Sequence, residues 1–249
     1  MKPLRLITRL LVLVVLAMLP TAPKASAQTV PSSTRSEAAL QRVTADVARD
    51  MATQGFELGA SVFLRIFKEE AELEVWVEKD GSFALYKSFA ICDFSGDLGP
   101  KEREGDLQSP EGFYWVPARM FNPASDYHLS FNLGYPNRLD RQLGRTGNYL
   151  MVHGSCVSIG CYAMTDAGIE EIWAITTAAL GAGQRYFRVH AMPFKMTDAN
   201  MAAHEGSEWF NWWQELKTGY DYFESNKRPP DVTARRGHYV FADAERATE

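Results

Sequence analysis

The chain has three cysteines in 249 residues: Cys92, Cys156 and Cys161. That is too few for a disulfide scaffold, and an odd number in an oxidising compartment leaves one thiol over or makes an intermolecular bond. Apolar runs are scarce. After residues 10–19 (LLVLVVLAML) no stretch could span a bilayer, which takes about 20 apolar residues. No set of His, Cys, Asp and Glu has metal-ligand spacing, so neither a metal nor a cofactor is expected. Internal repeats and low-complexity blocks are lacking too.

The apolar run at residues 10–19 follows Lys2, Arg5 and Arg9, is broken by Pro20, and precedes the small residues Ala25-Ser26-Ala27. This is the pattern of a secretory signal peptide cleaved before Gln28, with an uncleaved anchor as the competing reading. Cleavage removes four cations (Lys2, Arg5, Arg9, Lys24) and no anion, so the formal charge goes from −5 to −9. An acidic exported protein is a poor partner for nucleic acid or anionic membranes, because its long-range field has the wrong sign. An exported chain without an integral membrane span is expected.

Thr34 and Glu37 fit a capping box ahead of Leu40, Val43, Val47 and Met51, which predicts an amphipathic helix over 36–53. SVFLRIFKEE, AELEVWVEK and SFALYKSFAIC read as strands, with Asp80-Gly81 as a hairpin turn. Their alternation predicts an antiparallel sheet with one wet face. Residues 96–110 read as a loop, and GFYWVPARMF, HLSFNLGY, YLMVH and RYFRVHAMPF as further strands. Thr165 caps an expected helix bearing Ile169, Ile172, Trp173, Thr176 and Leu180. One or two aromatic-rich helices are expected from Asp198 to Lys217, then a loosely held polar tail. The expected class is α+β, mainly β with flanking helices. Its parts are a signal peptide (1–27), an N-terminal helix (28–57), a main domain (58–197) and a C-terminal helical extension with tail (198–249).

The segment VHGSCVSIGCYAM (152–164) concentrates the chemistry. Four residues separate Cys156 from Cys161, where a zinc knuckle has two. A Cys156–Cys161 disulfide would close a very short loop, and Cys92–Cys156 is favoured over it, although spacing does not fix connectivity. A third reading makes Cys161 a nucleophile and His153, at the end of a strand, its base. Gly160 would let substrate approach, and the N–H groups of Gly160 and Cys161 would form an oxyanion hole. The helix after Cys161 would favour the thiolate, so its sulfur is expected to titrate below a free thiol. His190 reads as a satisfied core residue, and Trp209, Trp212 and Trp213 as helix core rather than a sugar platform.

A strand-borne His-Gly followed by Ser-x-Gly-Cys-x-x-Met resembles the signature of the L,D-transpeptidase catalytic domain (YkuD) family, whose usual pattern is S-H-G-C-[IV]-R-[ML]. SPEGFYWV stands where members carry T-P-x-G-x-F. ICDFSGDLGPKEREGDLQSPEGFY, HGSCVSIGCYAMTD and LKTGYDYFE are most similar to the YafK-type branch. The resemblance covers residues 58–225. It implies a β-sandwich catalytic domain and a thioester mechanism, with Cys161 as nucleophile and His153 as base. It also implies a main-chain carbonyl near Gly154 orienting the imidazole and Ser158 bracing the loop. Tyr135 is a looser candidate for substrate contact. The chain departs from the pattern at Ile159, in place of histidine, and at Ala163, in place of arginine.

The implied setting is the periplasm, and the implied partners are peptidoglycan stem peptides. The branch includes an amidase that frees an outer-membrane lipoprotein from diaminopimelate in peptidoglycan, which adds that linked lipoprotein as a partner. Transfer to an amine and hydrolysis share the acyl-enzyme. A catalytically silent wall-binding module is the alternative.

Overall fold

The computed structural model describes residues 27–242. The expected signal peptide lies almost wholly outside the described residues. Helix α1 (Thr34–Thr53) is capped one residue before the expected position: Ser33 accepts from the Ser36 N–H, and the Ser36 hydroxyl accepts from the Ser33 N–H. The capping box is therefore Ser33–Ser36 rather than Thr34–Glu37. Val47 and Met51 bury one face of α1, which packs along α3 (Asp166–Gly181); the short α2 (Arg138–Gln142) comes between them in the chain.

Strands β1 (Val62–Phe67), β2 (Glu72–Lys79) and β3 (Ser82–Ala90) form an antiparallel meander. Its second turn is made by Asp80 and Gly81, at φ 51° and 81°, the left-handed pair that a two-residue hairpin requires. With β10 (Phe187–Met192) and β5 (Gly112–Val116) they make a five-stranded sheet of order β3-β2-β1-β10-β5, in which β1 and β10 run parallel. A second five-stranded sheet has the order β4-β9-β8-β7-β6, from β4 (Asp93–Phe94), β6 (Phe121–Asn122), β7 (Ser130–Asn132), β8 (Met151–His153) and β9 (Tyr162–Ala163). Leu64, Ile66, Val75, Val116 and Val189 from the first sheet share one core with Phe131, Val152 and Tyr162 from the second. Trp173 of α3 is buried in it, edge-on to Phe121. The α+β class, with a C-terminal helical region, holds.

The expected wet face of the first sheet is covered. Helices α4 (Asp198–Ala203) and α5 (Phe210–Asn226) follow β10 in the chain. Trp213, Leu216 and Tyr220 of α5 join Phe67 and Phe113 in a second core, while Phe223 meets Phe63 and Trp76. Gly219 permits the approach: a Cβ there would fall 2.5 Å from the Phe113 ring. Charged residues on this face are paired rather than solvated. Arg65, buried, bonds Glu74 at 2.8 Å and Glu224 at 2.6 Å. The tail, too, is ordered as far as residue 242, the last one described. After Pro229-Pro230, strands β11 (Asp231–Arg235) and β12 (His238–Ala242) form a hairpin whose Ala234 and Tyr239 are buried. The apolar side chains of Ala234, Tyr239 and Phe241 supply the burial that a loose tail would lack.

Candidate active site

Strand β8 sits between β7 and β9, so its last residue, His153, faces Ser130 on one side and Ala163 on the other. The ring is 2% exposed. Its Nδ1 lies 2.5 Å from the Gly154 carbonyl oxygen, which can only accept; Nδ1 therefore carries the proton and Nε2 is the basic nitrogen. The Tyr127 ring covers the imidazole at 4.8 Å. Burial holds the His153 pKa below its ordinary value, against opposing pulls from the Gly154 carbonyl and Asp93.

Cys161 immediately precedes β9, beside the start of β8. It is the free cysteine among the three, since Cys92 and Cys156 form a disulfide. The Met151 N–H donates to its sulfur at 3.4 Å, and the thiol reaches the Tyr149 carbonyl at 3.7 Å. Burial raises the Cys161 thiol pKa, against the Met151 N–H and the Lys101 charge. This corrects the expectation of a depressed pKa. Thr165 does cap α3, accepting from the Gly168 N–H, but β9 intervenes between the sulfur and the helix. The first helical residue, Asp166, turns its carboxylate to the Ser155 N–H.

His153 and Cys161 line one cavity of about 590 Å³, with Ser158 and Gly160 also in its wall. Ser158 donates to the Cys161 carbonyl at 2.8 Å and accepts from the Gly160 N–H at 3.2 Å, tying the loop on both sides of Ile159. The Gly160 N–H is thus already engaged. Gly160 has φ 140°, a conformation that favours glycine, and a Cβ would meet Leu150 at 3.1 Å. At Gly154 a Cβ would fall 2.6 Å from the Asp166 carboxylate and 2.9 Å from His128. Ile159, at the family's histidine position, is 76% exposed at the cavity wall, and Ala163 is buried.

Tyr135 is not brought to this cavity. It is buried, and its hydroxyl donates towards the carbonyls of Lys101 and Thr146, so it holds the loop behind the wall. The aromatic residues in the wall are Tyr127 and Tyr149, which sequence reading missed. Tyr127 lies 26 residues before His153 with no motif around it, and Tyr149 reads as one more residue of a strand. His190 is buried as expected but not satisfied: neither ring nitrogen has a hydrogen-bond partner in the structure. Among the described residues no group of His, Cys, Asp and Glu could hold a metal ion, and no helix is long and apolar enough to cross a membrane.

Two packed five-stranded sheets with flanking helices are the fold that the resemblance implied, and relatives supply the class: the chain belongs to the L,D-transpeptidase family. The matched relative is YafK of Escherichia coli (strain K12), 49% identical over 183 residues, which are 74% of this chain and 74% of YafK. YafK of Escherichia coli O157:H7 matches to the same extent. No family model matches the chain. Among solved structures, the helical cell shape determining protein Pgp2 from Campylobacter jejuni aligns with 75% of this chain and 79% of its own, at TM-score 0.43 and 19% identity. Bdellovibrio bacteriovorus Bd1075 aligns over 73% and 84%, at TM-score 0.38 and 12% identity.

Proposed function

We propose that the protein is a periplasmic, cysteine-dependent peptidoglycan-modifying enzyme that works through a thioester on Cys161. The observation that carries this reading is a free thiol in the wall of the same cavity as an imidazole whose Nδ1 is fixed by a backbone carbonyl. His153 Nε2 takes the thiol proton as Sγ attacks a stem-peptide carbonyl carbon. The tetrahedral oxyanion is stabilised by the Cys161 N–H, with the Gly160 N–H joining if Ser158 releases it. Collapse breaks the C–N bond, and the imidazolium returns its proton to the leaving amine. Water then hydrolyses the thioester, or a second amine takes the acyl group, with His153 again the base.

The neutral state favoured for both groups fits this order, since the proton moves during attack rather than before it. The acceptor decides between L,D-transpeptidation and amidase release of a lipoprotein linked to diaminopimelate. The test is to incubate the mature protein with tetrapeptide muropeptides and with sacculi bearing the linked lipoprotein, and to read product masses. New cross-links identify a transferase, and freed lipoprotein identifies an amidase. Identical products from wild type and Cys161→Ala reject the enzyme and leave the wall-binding module.

A further inference from the structure

Helix α5 and the β11–β12 hairpin leave one end of the first sheet's outer face open. There the cross-strand neighbours Trp115 and Arg188 lie beside the pair Phe113 and His190. Trp115, Tyr186, Arg188, His190, Asp231 and Thr233 line a cavity of about 420 Å³ that shares no residue with the wall around Cys161. We propose that this cavity is a second, saccharide-binding subsite.

Three independent features select that ligand. Trp115 sits on the edge strand β5 and is 50% exposed, with the Tyr186 ring 5.6 Å away and tilted by 57°. The Arg119 guanidinium lies 5.7 Å from the indole and restrains it. The two tilted rings make an aromatic corner in which the exposed indole is the face for the apolar side of a pyranose and the phenol flanks it. Next, His190 is 1% exposed, edge-on to Phe63 and Phe113 at 4.6 Å each, and both its ring nitrogens lack a hydrogen-bond partner in the structure. Buried polar groups are almost always satisfied, so this orphan at the cavity wall marks where a ligand hydroxyl would pair with the imidazole once the Phe113 edge shifts to admit it, both nitrogens being closed off as the ring stands.

Charge makes the third selection. Arg188 is ion-paired with Asp231, so the charges in the cavity wall itself are matched, and the Arg119 guanidinium lies outside that lining against the indole. Burial, with Arg188 and Arg65 nearby, keeps the imidazole neutral. A ligand that is uncharged, rich in hydroxyls and apolar on one face meets all three conditions. The choice of an N-acetylhexosamine as the sugar rests on the peptidoglycan reading above; the aromatic-corner, orphan and charge arguments do not. A second grip on a polymer would raise the local concentration of its stem peptides at Cys161.

The test is titration of the mature protein with the N-acetylglucosamine tetramer, followed by tryptophan fluorescence and calorimetry. Saturable binding is expected, equal in wild type and Cys161→Ala. It should be weakened about tenfold or more by Trp115→Ala, through loss of the stacking surface. Tyr186→Leu, checked by its melting curve, should weaken it as well and serves if Trp115→Ala fails to fold. No saturable binding, binding untouched by either variant, or displacement of the sugar by a free stem tetrapeptide overturns the subsite. Sugar binding without any product from sacculi would reject the enzyme reading and leave the subsite standing. Product formation without sugar binding would do the reverse.

Discussion

The Met151 N–H donates to the sulfur of Cys161 at 3.4 Å, a contact across the start of the β8–β9 pair. One weak donor does not offset burial, and the thiol pKa stays raised. Alkylation of Cys161 by a small reagent should therefore reach its half-maximal rate at higher pH than that of a model thiol. A midpoint at or below the model thiol's would show that the sulfur is held as thiolate.

His153 makes the complementary prediction. With both groups neutral, attack depends on transfer of the thiol proton to Nε2, so His153→Asn should cost roughly 10²- to 10⁴-fold in kcat/KM. Burial lowers the His153 pKa, so the base stays unprotonated to lower pH than a free imidazole would. The acid limb of the kcat/KM profile should accordingly lie below the ordinary histidine value. A limb above it would point to another base.

The disulfide ties the loop between β8 and β9 to the residue before the neighbouring edge strand β4, joining positions 64 residues apart. Closing a loop of that length restricts the unfolded chain and stabilises the fold by about 4 kcal/mol on the chain-entropy account. Cys92→Ser with Cys156→Ser should lower the urea midpoint accordingly and release the loop in which Ser158 braces Gly160 and Cys161. Thiol labelling of the unreduced native protein should find one cysteine per chain. Three labelled cysteines would contradict the pairing.

His190 and His153 make stability depend on pH with a definite sign. Both are held below the ordinary histidine pKa by burial, so the unfolded chain binds protons that the folded chain does not. Stability is therefore fully present above the unfolded value, near 6.5, and falls as pH drops towards each folded value, by about 1.4 kcal/mol per pH unit per group. His190→Phe, placed between Phe63 and Phe113, should flatten this slope in urea titrations between pH 6 and 5 (a window set by the ordinary histidine pKa, about 6.5). An unchanged slope would mean that the imidazole is solvated or protonated in the fold.

What was legible in the sequence was local. Asp80-Gly81 announces its hairpin because two adjacent left-handed residues are needed there, and Thr165 announces α3 because its side chain caps that helix three residues on. The β11–β12 turn uses Arg236 and Gly237, at φ 54° and 81°, and Arg-Gly inside a polar stretch carries no comparable signal. Tyr127 over His153 and Glu74 beneath α5 depend on pairings distant in sequence. A charged residue in an alternating strand reads as solvent-facing unless the element that covers it is already known.

Glu111 is the strongest case of that blindness. Its carboxylate is buried and accepts from the Gly99 N–H at 2.6 Å, Lys68 at 3.1 Å, and the indoles of Trp212 and Trp213 at 3.2 and 3.0 Å. The two remaining Lys68 N–H donors are shared among the carbonyls of Asp97, Gly99 and Ser109, at 2.8, 2.9 and 3.1 Å. The pair thus pins residues 97–111, including the segment that lines the Cys161 cavity at Leu107, to β1 and α5. Burial lowers the Lys68 pKa, and Glu111 opposes it. Glu111→Ala leaves an ammonium in a dry site, which costs about 3 kcal/mol or more when one partner of a buried pair is removed. The urea midpoint should fall accordingly. Replacing both partners, as Lys68→Met with Glu111→Leu, should recover part of the loss, because no charge is then stranded. A double variant less stable than Glu111→Ala alone would mean that Lys68 acts chiefly through its three carbonyl bonds.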